Sequence, residues 1–100
     1  MRRGKRVFGP GRPRVRRWLR FQPEVKYFKP QGIPLRDLQQ VILLPDEVEA
    51  LRLKNIEQLD QMACAQQMKI SQSTLQRILS SAYKKISEAI VKGKAIKIED

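Results

Sequence analysis

Residues 59–79 read LDQMACAQQMKISQSTLQRIL, and the spacing of their apolar side chains predicts two helices joined by a tight turn. A helix-turn-helix needs a small residue where the helices touch, apolar residues on both sides of the turn, and apolar residues of the second helix facing the core. These requirements are met in turn by Ala65, by Met68 and Ile70, and by Leu75 and Ile78. The segment therefore predicts a helix-turn-helix.

Both helices have residues suited to capping their N-termini. Asp60 and Ser71 carry side-chain oxygens that accept hydrogen bonds from the free amides of a first helical turn. They predict helices over about 60–68 and 71–92, and Gly93 is a natural end for the second because glycine favours the closing conformation. The residues expected to face inward along the second helix are Leu75, Ile78, Ala82, Ile86, Ala89 and Ile90.

A support helix is predicted before residue 59, over about 46–55. Pro45-Asp46 is typical of a helix start, with Asp46 as the N-cap and acidic residues near the positive end of the helix dipole. The segment over 23–35 is interrupted by prolines and cannot form a regular helix. We predict that it is an extended wrap with a turn at Gln31-Gly32.

The aromatic residues and the chain ends complete the predicted fold. Tyr27 and Phe28 are expected to pin the wrap to the core, with stacking against bases as the alternative. A short strand is predicted over 15–21. Another is predicted over 95–98, pairing either with residues 41–44 or with the first strand. The predicted fold class is mainly α, a helix-turn-helix domain with short N- and C-terminal β-strands.

Charge divides the chain into two parts. The 21 Lys and Arg residues against 10 Asp and Glu residues give a formal net charge of +11, with a pI near 10.4. Residues 1–20 hold nine of the cations and no acid, so residues 21–100 hold twelve cations against ten acids. We predict a flexible, disordered basic arm over 1–14, followed by a single domain over 15–100. The basic residues assigned to DNA attachment are Arg2, Arg3, Lys5, Arg6, Arg12, Arg14, Arg16 and Arg17.

Composition argues against several classes of function. A chain of 100 residues leaves little room for a deep catalytic cleft. It has no histidine and one cysteine, Cys64, which is expected to pack in the core, so we predict no enzyme activity, no metal site and no cofactor. It has no apolar run long enough to span a membrane and no apolar signal-peptide segment, so we expect a cytoplasmic, nucleoid-associated protein without a membrane partner.

The polar residues of the second helix predict contacts with duplex DNA. Side chains that can hydrogen-bond base edges are expected to point outward just after the cap, and these are Gln72, Ser73, Gln76 and Arg77. Phosphate contacts are assigned to Lys69, Ser71, Thr74, Ser81, Lys84 and Lys85. In this interpretation the helix selects the sequence and the basic arm supplies attachment.

The chain resembles a family of small uncharacterised prokaryotic proteins, of the UPF or DUF type, that are predicted to bind DNA. The resemblance covers about residues 12–99. It is carried by PEVKYFKPQGIPL over 23–35, DEVEALRL over 46–53, LDQ over 59–61 and GKA over 93–95. The resemblance implies DNA binding without implying a target sequence.

The helix-turn-helix half is also similar to the fourth region of sigma-70-type factors, within the winged-helix-type superclass. That likeness implies that Ser71 is the cap of a recognition helix and that Lys84-Lys85 are a basic pair further along it. Three departures from the resembled patterns involve four positions. Arginines stand at 16 and 20 where many family members have cysteines, Lys69 stands where glycine is usual, and Gln72 stands where arginine is common.

The resulting hypothesis is a sequence-specific double-stranded-DNA-binding protein that regulates transcription. Two other hypotheses remain open at this stage. A basic RNA-binding or ribosome-associated protein would use the same arm on structured RNA, and an adaptor that binds sigma factor or RNA polymerase would use the second helix against protein. A homodimer is compatible with each hypothesis.

Overall fold

A computed structural model of the chain describes residues 21–100. In this part of the chain the elements follow the order β1, β2, α1, α2, α3 and β3. The strands are β1 (Tyr27–Phe28), β2 (Gln40–Leu43) and β3 (Ala95–Ile98), and the helices are α1 (Pro45–Leu51), α2 (Gln61–Met68) and α3 (Gln72–Lys92). The prediction of a mainly helical protein with short strands is confirmed. The predicted basic arm over 1–14 and nearly all of the predicted strand over 15–21 lie outside the described residues.

Helix α1 starts one residue earlier than predicted, because Pro45 has no N–H to leave unsatisfied and its fixed φ suits the first helical position. Leu44 is the N-cap residue, and its carbonyl oxygen accepts the first helical bond from the Val48 N–H at 3.0 Å. The prediction of Asp46 as the N-cap is therefore wrong, since Asp46 is buried in the first turn. After Leu51 the chain continues as a wider π-helical turn over Arg52–Ile56.

The three strands form one sheet with β3 in the centre. Strand β3 pairs in parallel with β2, with Val41 opposite Ile96, and antiparallel with β1, with Phe28 opposite the same residue. The predicted C-terminal strand is confirmed, and it pairs with residues 41–43 of the predicted 41–44 segment as well as with β1. Strand β1 was not predicted, because two residues are too few to show an alternating pattern.

The segment before β2 supplies β1, an outer strand of the sheet. The turn predicted at Gln31-Gly32 is confirmed, and Gly32 takes a φ of 85° that residues with a Cβ rarely adopt. The Tyr27 hydroxyl donates to Gln40 Oε1 at 2.9 Å, which ties β1 to β2 across the central strand. Phe28 is 53% exposed, so the prediction that it is pinned to the core is wrong.

The core consists of two buried clusters, and α3 contributes residues to both. One buried cluster joins α1 to α2 and the start of α3, and it consists of Ala50, Leu53, Cys64, Ala65, Met68, Leu75, Ile78 and Leu79. A second cluster lies under the sheet and consists of Leu43, Val48 and Ala82, with Ile86, Ile96 and Ile98 packed against it. Ile90 is 73% exposed, so the prediction that it faces inward is wrong. Among the described helices none is long and apolar enough to cross a membrane.

Candidate nucleic-acid interface

Helices α2 and α3 are joined by a tight connection of three residues. Lys69, the first of them, takes a left-handed conformation with φ 57° and ψ 47° and closes α2. This conformation directs the Ile70 N–H back to the Ala65 carbonyl oxygen at 3.0 Å. Met68 before the connection is fully buried, and Ile70 after it packs against the same core cluster. The two helices are thus held at a fixed angle by backbone bonds and by packing.

Each helix begins with the predicted cap. Asp60 Oδ1 accepts from the Ala63 N–H at 2.8 Å, and Ser71 Oγ accepts from the Thr74 N–H at 3.1 Å. Both capping predictions are confirmed. The caps fix where each first turn starts, and they therefore fix which side chains of α3 face outward.

The amino-terminal half of α3 has one buried face and one exposed polar face. Leu75, Ile78 and Leu79 are buried against α2 and α1. The exposed side chains of the same turns belong to Gln72, Ser73, Gln76 and Arg77. We call these four residues the polar face. All four side chains predicted to contact bases lie together on one exposed side of α3.

Gln61, on α2, also belongs to this surface. Its Nε2 donates to Oε1 of Gln76 at 2.6 Å, which connects the first residue of α2 to the middle of the polar face. The sequence pattern did not indicate a role for Gln61. The two glutamines are fifteen residues apart, and only the angle between the helices brings them together.

Two of the six predicted phosphate contacts are exposed cations beside the polar face. Lys69 lies in the connection between the helices, and Lys84 lies on the exposed side of α3. The hydroxyls of Ser71 and Thr74 form part of the cap, because Ser71 Oγ lies 2.9 Å from Thr74 Oγ1. The lysines are therefore the members of this set best placed to reach a polyanion.

The other two predicted phosphate contacts have partners inside the chain. Ser81 Oγ donates to Glu47 Oε2 at 2.6 Å, and Lys85 Nζ donates to Glu47 Oε1 at 2.9 Å. Lys85 Nζ also donates to the Ile42 carbonyl oxygen at 2.7 Å. Because Glu47 is only 2% exposed, both side chains are drawn toward the body of the protein. We therefore leave Ser81 and Lys85 out of the candidate interface.

The segment that forms the candidate interface is rich in cations and free of acidic residues. From residue 61 to residue 87 the sequence contains no Asp or Glu, whereas it contains Lys69, Arg77, Lys84 and Lys85. The nearest acid before this range, Asp60, is used as the α2 cap. The surface formed by α2 and most of α3 is therefore suited to a negatively charged partner.

Two titratable groups near the helices have shifted pKa values. Burial raises the pKa of the Cys64 thiol, which keeps it protonated in the core, in agreement with its predicted packing role. A hydrogen bond from Lys94, together with the charge of that lysine, lowers the pKa of the Glu88 carboxyl at the far end of α3. Neither group lies on the polar face.

Comparison with known proteins places the whole chain in one family. A family model described as "Protein of unknown function DUF134" matches residues 1–100. The UPF0251 protein TTE1845 of Caldanaerobacter subterraneus subsp. tengcongensis is 53% identical over 88 residues, which cover 88% of this chain and 75% of that relative. The UPF0251 protein Teth39_0655 of Thermoanaerobacter pseudethanolicus is 49% identical over 88 residues, with the same two coverages.

A further relative is longer. The UPF0251 protein of Desulforudis audaxviator is 52% identical over 89 residues, which cover 89% of this chain and 58% of the relative. No solved structure matches the chain.

Proposed function

This chain belongs to the family of proteins of unknown function DUF134, and from the geometry of its own side chains we propose that it binds double-stranded DNA sequence-specifically, as a transcriptional regulator. The observation that carries the proposal is the polar face of α3. Gln72, Ser73, Gln76 and Arg77 are all exposed on a helix whose opposite side is buried. A rigid helix that projects polar side chains is the element that enters a major groove.

The arrangement of α2 and α3 supports a helix-turn-helix similar to the fourth region of sigma-70-type factors. In such a motif the second helix enters the groove with its amino end first, while the first helix lies across the DNA backbone. The Ser71 cap places the polar face within the first two turns of α3, where base edges would be reached. The lack of acidic residues over 61–87 supports a polyanionic partner.

The side chains of the polar face suggest which bases are read. The Arg77 guanidinium can bind O6 and N7 of guanine in a fork, and a glutamine amide can bind N6 and N7 of adenine. Lys69 and Lys84 would hold phosphates on either side, as would the arginines of the basic arm over 1–14. The arm would supply attachment on any sequence, and the polar face would supply selection.

Selection of bound sequences from a random pool of duplexes at moderate salt tests this proposal. We expect the full chain to enrich one consensus, and we expect the triple variant Gln72→Ala, Gln76→Ala, Arg77→Ala to lose it while remaining folded, because all three side chains are exposed. Lys97→Ala, which removes an exposed cation on β3, is the control that should keep the consensus. Enrichment of no sequence, or structured RNA displacing duplex DNA at physiological salt, would overturn the proposal.

A further inference from the structure

The bond between Gln61 and Gln76 links an exposed side chain of the polar face to the fixed start of α2. Gln61 follows the Asp60 cap directly, so its backbone is held by the first turn of the helix. Its side chain is half-buried, whereas Gln76 is exposed. One end of the 2.6 Å bond is therefore anchored to the frame of the protein, and the other end lies where DNA is proposed to bind.

This bond determines which atoms Gln76 presents to a partner. A glutamine amide has one oxygen with two lone pairs and one nitrogen with two N–H donors. Because Gln76 Oε1 accepts from Gln61 Nε2, one lone pair is occupied, while the second lone pair and both donors of Nε2 are left. A rotation of the Gln76 amide alone by half a turn would break the bond, so the bond restrains the plane of this amide and couples its direction to that of the Gln61 amide.

A donor beside an acceptor in a fixed plane matches one base better than the others. In the major groove adenine presents the acceptor N7 next to the N6 donor, whereas guanine presents the two acceptors N7 and O6. Adenine can therefore receive a bond from Gln76 Nε2 and donate one to Gln76 Oε1. Guanine would place O6 against Oε1, where no hydrogen is available.

We propose that Gln61 is a positioning residue that orients the Gln76 amide to read adenine in the DNA target. This inference rests on the proposed function. Gln61 acts before DNA arrives, because a glutamine that is already held loses less side-chain freedom on binding than a mobile one. The pair forms one specificity-determining unit, in which Gln76 contacts the base and Gln61 sets its orientation.

A double-mutant cycle on the full chain tests the coupling of the two glutamines. The selected consensus duplex and its three variants at the adenine position would be titrated by fluorescence anisotropy, using Gln61→Ala, Gln76→Ala and the double variant. We expect Gln76→Ala to lower the preference for adenine by about 5- to 150-fold. We expect Gln61→Ala to lower it by a smaller factor than Gln76→Ala does, and we expect the double variant to match Gln76→Ala. Gln66→Ala, which changes an exposed glutamine of the same helix, should leave the preference unchanged.

Gln61→Glu provides a readout that loss of stability would not imitate. A carboxylate only accepts hydrogen bonds, so Gln76 would have to turn Nε2 toward residue 61 and leave Oε1 facing the groove. We therefore expect the preferred base at this position to move from adenine toward cytosine, whose N4 group donates in the major groove. A variant that is merely less stable would bind all four duplexes less tightly and would keep the same order of preference.

The outcomes separate this inference from the proposed function. Additive effects of Gln61→Ala and Gln76→Ala, or an unchanged adenine preference in Gln61→Glu, would overturn the role of Gln61 while sequence-specific binding stood. A consensus that depends on Arg77 but contains no position sensitive to Gln76 would do the same. Failure of the unmodified chain to select any sequence would overturn the proposed function, and this inference with it.

Discussion

Glu47 on α1 and Lys85 on α3 form an ion pair of 2.9 Å that joins the helices to the edge of the sheet. The Glu47 carboxylate also accepts from the Leu44 N–H at 2.8 Å and from the Ser81 hydroxyl. Lys85 in turn donates to the carbonyl oxygen of Ile42 on β2. A lysine that the sequence assigned to DNA contact therefore holds three elements of the fold together.

We expect Lys85→Met to lower the free energy of unfolding by about 1–3 kcal/mol, because it leaves the buried Glu47 carboxylate without its charged partner. Lys85 is itself partly exposed, which favours the lower part of that range. Urea unfolding followed by circular dichroism would measure the difference. Lys84→Met, at the neighbouring exposed lysine, is the matched control and should leave stability nearly unchanged. Equal stabilities of the two variants would contradict a structural role for Lys85.

The sequence was sufficient to predict the helices that carry the candidate interface, because their boundaries depend on local chemistry. Asp60, Ser71 and Gly93 act within one helical turn of where they stand, so the residues themselves identify helix ends. The structure places α2 and α3 within one residue of the predicted positions. The four predicted base contacts also fall on one exposed face, because helical spacing alone puts them there.

What the sequence could not predict depends on contacts between distant residues. The partners of Ser81 and Lys85 lie on α1 and β2, more than thirty residues away. Gln61 reaches Gln76 only through the angle between α2 and α3. Ile90 continues the helical spacing of the core residues but is exposed, although the neighbouring Ala89 is buried. Periodicity predicts which face a residue occupies, and it does not predict what covers that face.

We expect Lys69→Gly to raise the free energy of unfolding by about 0.5–1 kcal/mol, because a lysine with φ 57° carries a strain that glycine lacks. The same variant removes an exposed cation beside the polar face, so its affinity for DNA should fall on every sequence. Urea unfolding and anisotropy titration would measure the two effects. Gln58→Gly relieves the same kind of backbone strain, at φ 60°, without a change of charge. This variant should therefore be more stable than the unmodified chain and should keep its affinity for DNA. A Lys69→Gly variant that is stabilised and binds DNA as before would remove Lys69 from the interface.

The pair of Glu88 and Lys94 predicts a pH dependence of stability. The hydrogen bond from Lys94 holds the pKa of Glu88 below its ordinary value. A carboxyl whose pKa is lower in the folded state than in the unfolded state stabilises the fold above its unfolded pKa, and this stabilisation is lost as the pH falls through the folded pKa. Glu88→Gln should therefore be less stable than the unmodified chain near neutral pH, and the difference should vanish in acid.

Thermal unfolding of both proteins across this pH range would check the prediction. Glu24→Gln removes one negative charge from an exposed glutamate before β1 and controls for the change in net charge. A difference between Glu88→Gln and the unmodified chain that grows in acid would have the wrong sign and would contradict the assignment.

Removal of residues 1–14 should weaken DNA binding without changing its sequence preference. These residues contain six of the cations and no acid. If the arm neutralises six phosphates, its removal should make the slope of log affinity against log salt concentration less negative by about 5. Titrations at several salt concentrations, with the consensus and with an unrelated duplex, would measure this change. An altered consensus in the shortened chain would show that the arm takes part in selection, contrary to the proposal that the arm supplies only attachment and the polar face supplies selection.

Arg77→Ala should relax specificity at one base pair, because Arg77 is the side chain of the polar face that can form a two-bond fork with guanine. We expect the preference at that position to fall by about 1–3 kcal/mol while preferences elsewhere in the site are kept. Arg77→Lys retains the charge but lacks the planar fork, so it should keep much of the affinity and lose most of the discrimination. Lys84→Ala removes a cation with no assigned base and should weaken all sequences alike. If Arg77→Ala behaved like Lys84→Ala, then Arg77 would contact phosphate, and the reading of bases would rest on the three uncharged residues of the polar face.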